Sequence, residues 1–396
     1  MKSQKLADIG ENFSTGPFGS AVSSKNFVAF GVPMIRGSNL SVDVGTRLVE
    51  DDLVFVPNEL VESFPRALAR PGDLIFTCWG TVGQIGYLDG TTRFAEYLVS
   101  NKQMKMTPNA DVVDGRYLYY YLSQPHMIRT VTDSSIGSSV PGFNLGQLRS
   151  LDVAVPNLGT QRGIAEVLGA LDDKIAANEA IINVADGLVR ARYEQLCAVV
   201  DRRLPLGDLA KNVRDGAATP SALAKTTYLG LEHLPRRLMW GSARGWSTEV
   251  ESGKSHFSGG DVLFGRLRPY FHKVIAAPGE GICSTDILVI RSTAGLGGLV
   301  LAAATSDAAI EIADAGSGGT RMPRASWKDL ATLEVPWPGD LQTRAFSRNV
   351  ETVSARCLAT TDESRKVAAL RDALLPELMS GRLRVKDAEK TVEEVV

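Results

Sequence analysis

Cysteine is scarce in this sequence, and the four cysteines are isolated from one another. Cys78, Cys197, Cys283 and Cys357 form no CxxC pair and no Cys/His cluster with zinc-ligand spacing. The spacing therefore predicts neither a disulfide framework nor a structural metal. It is typical of a protein that works in a reducing cytoplasm.

Long apolar runs and an excess of one charge are also missing. No run reaches 18 apolar residues, and the start MKSQKLADIGENFS has no apolar core of a signal peptide. We therefore expect no membrane association. With 43 Lys and Arg against 45 Asp and Glu, the net charge of −2 gives no general attraction to nucleic acid. Any contact with nucleic acid has to be local.

Catalytic motifs are missing as well. The GKS at residues 253–255 has Thr248 where a phosphate-binding loop needs its first glycine, and no GxGxxG after a strand or HExxH occurs. The four histidines are far apart. The carboxylate pairs 51–52 and 172–173 are expected on a surface turn and on a solvated helix face. We therefore predict a protein that is not an enzyme and binds no cofactor or metal of its own.

The chain is instead built from a repeat. Residues 137–196 align with residues 319–378 without a gap, and further upstream PGDLIF at residues 71–76 matches GGDVLF at residues 259–264. The shared Asp is expected to cap a turn before a buried strand. Each half thus has a divergent front part and a better-preserved back part.

The back parts predict two long helices. Apolar residues advance by alternating steps of four and three, which is the heptad pattern of a coiled coil. Thr160 is the expected N-cap of the first helix, and Pro376 is expected to kink the second helix or end it early. The predicted seam positions are Ile164, Leu168, Leu171, Ile175, Ile182 and Val189 in the first helix and Phe346, Val350 and Val353 in the second.

Two matched seams favour helices that pair with each other, antiparallel if a twofold axis relates the halves. Packing inside a domain remains the alternative for either helix alone. Asn178 lies at a seam position. It is either a polar residue that sets the register of the paired helices or a solvated break in the apolar seam. The second seam is weaker at Cys357, Thr360 and Ser364, and there we expect looser pairing.

The front parts are rich in short β runs separated by Gly, Pro, Asn and Asp, with helices mainly at residues 115–124 and 298–312. They predict mixed α/β domains with a curved, mostly antiparallel sheet. The fold class expected for the whole chain is α+β.

Residues suited to DNA contacts follow the repeated strand in each half. In FGRLRPYFHK, strand alternation would project Arg266, Arg268, Tyr270 and His272 together, with Lys273 beside them. A solvated basic edge strand is the alternative. The first half has TCWGTVGQIGY instead, which carries no cation.

Further candidate contacts come from the first half and from two loops. The first half offers hydroxyls, an amide and Trp79 for contacts with bases, although Trp79 could equally be a core residue. Two loops of small hydroxylated residues suit contacts with phosphates. For these two loops, a flexible surface loop without a binding role is the alternative. These candidates are Arg36, Ser38, Asn39, Thr77, Trp79, Thr81, Gln84, Ser138, Ser139, Thr320 and Arg321.

Several motifs together resemble the specificity subunits of type I restriction-modification systems. They are STGPFGS, GVPMIRGSNL, PGDLIF, RLRPY, the helix QRGIAEVLGALDDKIAANEAIINVADGLVRARYEQL and the tail LLPELMSGRLRV. The resemblance covers nearly the whole chain. It implies target recognition domains at residues 1–156 and 201–338, spacer helices at residues 157–200 and 339–381, and a tail at residues 382–396.

The resemblance also implies a function. Each recognition domain would recognise one half of a bipartite, asymmetric site in double-stranded DNA. The helices would form an antiparallel, pseudo-twofold spacer that docks two methyltransferase subunits, which bind S-adenosylmethionine, and a restriction and translocation subunit could join them.

Two other interpretations follow from the residues. The near-neutral charge and the cation-poor first half suit a coiled-coil scaffold whose α/β domains bind proteins. An enzyme that cleaves or methylates DNA by itself would need a catalytic constellation that the sequence does not present.

Overall fold

The computed structural model describes residues 2–19, 21–137, 141–217, 226–241, 243–246, 253–316 and 322–394. The chain divides into two compact units. The first unit joins residues 1–173 to residues 368–396, and the second comprises residues 174–367. Each unit therefore combines one sheet-rich region with segments of two long helices.

The sheet-rich region of the first unit contains ten strands and five short helices among the described residues. The strands are β1 Lys2–Lys5, β2 Gly10–Thr15, β3 Val32–Ile35, β4 Val54–Val56, β5 Leu68–Ala69, β6 Leu74–Thr77, β7 Ile85–Tyr87, β8 Tyr97–Val99, β9 Gln103–Pro108 and β10 Asp152–Val155. The helices are α1 Leu6–Ile9, α2 Asn58–Glu62, α3 Gly115–Leu122, α4 Pro125–Asp133 and α5 Leu145–Ser150. The first long helix, α6 Leu158–Val199, follows them.

The second unit repeats this plan. Its strands are β11 Arg203–Pro205, β12 Ala210–Val213, β13 Gly216–Ala217, β14 Thr227–Leu229, β15 Gly245–Trp246, β16 Lys254–Phe257, β17 Val262–Gly265, β18 Val274–Ala276, β19 Gly281–Ser284, β20 Ile287–Ser292 and β21 Glu334–Pro336. Its short helices are α7 Leu206–Leu209, α8 Gly297–Ala304, α9 Asp307–Ala315 and α10 Trp327–Leu330. The chain then forms the second long helix, α11 Asp340–Ser380, and ends with α12 Val385–Glu393.

Sheet order is the same in both units, except that the second unit has one additional edge strand, β13. The order β2-β9-β6-β7 in the first unit corresponds to β12-β20-β17-β18 in the second. A second sheet runs β4-β3-β8-β5 in the first unit and β15-β14-β19-β16-β13 in the other. All described strand pairs are antiparallel except β3 with β8 and its counterpart β14 with β19. The predicted α+β fold with duplicated sheet domains and two long helices is confirmed.

The repeated motif has the structural role that the sequence predicted, with an addition. The carboxylate of Asp73 accepts a hydrogen bond from the backbone N–H of Arg70, and that of Asp261 accepts one from Ser258. Each carboxylate is also buried against a cation from the neighbouring strand. Lys105 lies 2.9 Å from Asp73, and Arg291 lies 2.7 Å from Asp261. The motif recurs because it fixes the turn before a central strand.

The predicted seam lies in the interior of the helix packing. Asn178 is 3% exposed, and its amide donates to Glu363 at 2.9 Å and to Ser364 at 3.1 Å. Further along, the ring of Tyr193 lies 6.4 Å from that of Phe346, so within the second unit α6 and α11 run antiparallel. Ile164, Leu168, Leu171, Ile182, Val189, Val350, Cys357, Thr360 and Ser364 are buried, and Ile175, Phe346 and Val353 are half-buried.

Two local predictions about the long helices were wrong, and one of two alternatives for Pro376 is excluded. Asn157, not Thr160, caps α6, because its side-chain oxygen accepts from the Thr160 N–H at 2.9 Å. Helix α11 does not end early at Pro376 but continues to Ser380, since Leu378 and its neighbours are buried and hold the last turn in place. Asp172, expected on a solvated face, is 5% exposed.

Asp172 is buried because it joins an ionic cluster within the first unit. It lies 2.9 Å from Arg371 and 3.4 Å from Arg47, and it accepts a hydrogen bond from the Tyr120 hydroxyl. Burial and the neighbouring carboxylate raise the pKa of Tyr120. Arg47 also contacts Asp89. The cluster ties the sheet region of the first unit to both of its helix segments.

The structure corrects both short helices that the sequence predicted. The stretch predicted at residues 115–124 forms α3 and is followed by a further helix, α4, which the sequence did not indicate. The stretch predicted at residues 298–312 forms two helices, α8 and α9. Ser306 separates them and caps α9 by accepting a hydrogen bond from the Ala309 N–H.

Candidate nucleic-acid interface

The candidate residues of the first unit follow strand β6, where the chain enters a loop at residues 78–84. Backbone hydrogen bonds hold this loop to the segment before α5: the Gly80 N–H donates to the Pro141 carbonyl, and the Phe143 N–H donates to the Cys78 carbonyl. The Trp79 ring lies against Gly142, where a Cβ would come within 2.6 Å of it. Trp79 is 52% exposed. The loop therefore presents an aromatic ring at the surface rather than burying it.

These residues line a cleft of about 480 Å³, which we call the Trp79 cleft. Six of the seven candidates described in this unit line it, and Asn39 does not. The cleft is lined by Val22, Phe27, Met34, Arg36, Gly37, Ser38, Thr77, Trp79, Gly80, Thr81, Gln84, Ser100, Asn101, Lys102 and Gln103. Two of these side chains are cationic and none is a carboxylate.

Hydrogen bonds order the interior of the cleft. The Thr77 hydroxyl donates to the Gln84 side-chain oxygen at 3.2 Å, and the Gln84 amide donates to the Leu40 carbonyl at 2.9 Å. Asn39 is fully buried; its oxygen accepts from the Arg36 N–H, and its amide donates to the Val49 carbonyl. Asn39 thus fixes the turn that carries Arg36 and Ser38.

The sequence did not identify Gln103, which lies at the start of β9 as the register partner of Thr77. It is 0% exposed. Its side-chain oxygen accepts from the Ser100 hydroxyl, while its amide nitrogen has no hydrogen-bond partner among the described residues. Only the pairing of β9 with β6 brings it to the cleft, so no pattern along the chain could have indicated it.

In the second unit, the expected extension of the strand was wrong. Strand β17 ends at Gly265, and the chain then makes a loop at residues 266–273, one residue longer than its counterpart. Arg268 and His272 both have φ of 52°, in the left-handed region, and a 3-10 turn lies between them. Side chains from 266 to 272 therefore do not alternate on one strand face.

His272 is turned into the interior. It is 1% exposed, and its Nε2 lies 2.9 Å from the Thr305 carbonyl oxygen. Burial lowers the pKa of His272. The half-buried Arg266 donates to the Ala325 carbonyl, and Lys273 donates to the Leu231 carbonyl. Burial also lowers the pKa of Lys273. These three side chains support the loop.

The exposed side chains of this region form a second surface, which we call the Arg268 surface: Arg236, Arg237, Arg268 and Tyr270. The Arg236 guanidinium lies 4.2 Å from the centre of the Phe271 ring, and Tyr270 contacts the same ring edge-on. The Arg237 N–H donates to the His272 carbonyl. Arg236 and Arg237 were not identified in the sequence because two strands, β15 and β16, separate them from β17 along the chain.

The two loops are nevertheless equivalent. The Arg268 N–H donates to the Pro323 carbonyl as Gly80 does to Pro141, and Ala325 donates to Arg266 as Phe143 does to Cys78. The candidates Ser138, Ser139, Thr320 and Arg321 lie outside the described residues. The repeat thus places two chemically different surfaces at one position of the fold, a cleft with amides and hydroxyls and a basic aromatic surface.

Among the described residues, no group of three or more His, Cys, Asp or Glu side chains is placed to hold a metal ion. Within the same residues, none of the helices is both long and apolar enough to cross a membrane.

Comparison with known proteins relates this architecture to a family. Residues 55–185 match the family described as type I restriction modification DNA specificity domain. The chain is 24% identical over 289 residues to the type I restriction enzyme EcoDI specificity subunit of Escherichia coli, a match that spans 62% of this chain and 64% of that subunit. It is 20% identical over 381 residues to the HindI specificity subunit of Haemophilus influenzae, over 72% of this chain and 81% of that one.

A solved structure shows the same fold. The S subunit of a type I restriction-modification system from M. genitalium superposes with a TM-score of 0.59, over 95% of each chain and at 12% identity. The resemblance found in the sequence is confirmed: this chain is similar to the specificity subunits of type I restriction-modification systems, and its residues 55–185 match their DNA specificity domain.

Proposed function

We propose that this chain is the DNA-recognition subunit of a type I restriction-modification complex and that it recognises a bipartite, asymmetric site. One observation carries the proposal: the same loop, held by the same backbone bonds, presents the Trp79 cleft in one unit and the Arg268 surface in the other. Equivalent positions with unlike chemistry suit two unlike half-sites.

Each surface has groups that suit DNA. On the Arg268 surface, guanidinium groups can donate to guanine O6 and N7 or to phosphates, and Tyr270 can stack or donate. Around the Trp79 cleft, Ser38 and Thr81 are exposed hydroxyls, and Lys102 is an exposed cation. The net charge of −2 predicts weak DNA binding by the chain alone.

The remaining parts of the activity belong to partners. We propose that α6 and α11 act as the spacer between recognition domains and dock two methyltransferase subunits, which hold S-adenosylmethionine. A restriction and translocation subunit would join the same complex in the cytoplasm. The chain itself would have no catalytic role.

Adenine-methylation mapping tests the proposal. DNA from cells that express this chain with the methyltransferase subunit encoded beside it is compared with DNA from cells that express the methyltransferase alone. We expect a new bipartite methyladenine motif only in the first sample. If the two proteins copurify but no motif appears, the chain is a scaffold and the proposal fails.

A further inference from the structure

The floor of the Trp79 cleft contains polar groups that its own fold does not satisfy. The amide nitrogen of Gln103 and the Nε of Arg36 are buried and have no hydrogen-bond partner among the described residues. Both residues line the cleft. An unpaired buried donor destabilises a folded protein, so two in one cleft indicate a ligand that carries acceptors.

The second unit shows that the fold does not require this polar cleft. Its equivalent turn has Leu231 in place of Gly37; the turns correspond because the Gly230 N–H donates to His233 as the Arg36 N–H does to Asn39. The register of β17 with β20 places Ile287 where Gln103 lies in the first unit. At these two positions the second copy therefore has apolar side chains.

Gly37 keeps the first copy open. A Cβ at Gly37 would lie 3.5 Å from the Gln103 amide nitrogen and 3.9 Å from the Gln84 side-chain oxygen, so any larger side chain would occupy the space above both. The hydrogen bond from the Gln84 amide to the Leu40 carbonyl fixes the orientation of the Gln84 side chain. The cleft therefore combines open volume, unpaired donors and a fixed acceptor.

The shape of the cleft decides what can enter it. In stacked duplex DNA the base edges lie at the floor of a major groove about 8.5 Å deep, and a concave cleft cannot bring its own floor to them. A base that has rotated out of the stack can enter such a cleft, hydrogen-bond at its floor and stack on an aromatic side chain at its rim. Trp79 supplies that ring, and Lys102 lies where a flanking phosphate would be neutralised.

We propose that the Trp79 cleft binds one nucleobase rotated out of the duplex, through acceptors on its edge that pair with Gln103 and Arg36. The inference rests on the proposed DNA recognition and makes Gln103 a specificity-determining residue of the first unit. The cleft volume of about 480 Å³ is within the range of pockets that hold small ligands.

The test uses the full chain in complex with its methyltransferase and a duplex that contains the mapped site. The fluorescent base 2-aminopurine replaces each base of the site in turn, and its emission rises when it leaves the stack. The variant Gly37→Leu copies the second unit and blocks the cleft. Gln103→Ile, also copied from the second unit, removes the unpaired donor and leaves the cleft open.

We expect emission to rise several-fold at one base other than the methylated adenine, and Gly37→Leu to abolish that rise while the adenine signal persists. A mismatch opposite that base should tighten binding roughly tenfold for the unmodified chain, because the cost of unpairing falls, and should not do so for Gly37→Leu. Gln103→Ile should weaken binding and change which base is preferred there.

If both variants leave every signal unchanged while the duplex remains bound, the base inference is overturned and the proposed function stands. Binding of free nucleoside monophosphates without any signal from the duplex would also overturn it. Loss of sequence-specific binding by the unmodified complex would instead refute the proposed function, and this inference with it.

Discussion

Arg268 occupies, in the second unit, the left-handed backbone position that Gly80 occupies in the first. Their φ angles are 52° and 95°, and both N–H groups donate to the carbonyl of a proline, Pro323 and Pro141. Glycine adopts this conformation without strain, whereas an arginine there destabilises the loop. The second unit keeps an exposed guanidinium where the fold would prefer glycine, which is expected of a residue retained for binding.

Replacing Arg268 with Asn should stabilise the chain. Asn tolerates the left-handed region better than Arg, so the free energy of unfolding should rise by about 0.5–1 kcal/mol. Urea denaturation measures it. Arg237→Asn, at a position with the same φ of 52°, should give a similar gain. Arg348→Gln, on the exposed face of α11, should change stability by less than about 0.5 kcal/mol.

Breaking the buried ionic cluster around Asp172 should strongly lower the unfolding free energy. Arg371→Met leaves the Asp172 carboxylate without its 2.9 Å partner in a buried site, and we expect a loss of about 3–5 kcal/mol in unfolding free energy. The double variant Asp172→Leu with Arg371→Met should recover much of that loss, because the buried carboxylate is removed as well and Arg47 keeps its contact with Asp89. A double variant as unstable as Arg371→Met alone would contradict this account.

The hydrogen bonds of Asn178 in the helix seam should contribute less to the unfolding free energy than the buried ionic cluster does. Asn178→Ala removes two hydrogen bonds, to Glu363 and Ser364, and should lower the unfolding free energy by about 1–2 kcal/mol. Asn183→Ala, at an exposed position of the same helix, serves as the control and should have almost no effect. Equal effects from the two variants would place Asn178 outside the seam.

Acid should weaken the second unit through His272. Burial holds the pKa of His272 in the folded chain below that of the unfolded chain, which is about 6.5. Below that pH the unfolded state therefore binds more protons, and stability falls. His272→Asn suits the left-handed φ and cannot titrate. Its urea midpoint should fall less between pH 7 and pH 5 than that of the unmodified chain.

The fold could be predicted from the sequence largely because it is repeated. Heptad steps and matched motifs indicate helices and sheet domains from local spacing alone. Asp172 was misjudged because its partner Arg371 is distant in the chain and no local pattern connects them. The strand predicted through His272 failed because alternation does not indicate left-handed residues, and Gln103 was missed because strand register brought it to the cleft.

The most direct test of the central claim is adenine-methylation mapping with variants of each surface. The unmodified chain is compared with Arg268→Asn and with Gln103→Ile, each expressed with the methyltransferase. We predict a bipartite motif in which Arg268→Asn relaxes one half only and Gln103→Ile the other half only. A motif unchanged by both variants, or altered in the same half by both, would contradict recognition by two separate surfaces.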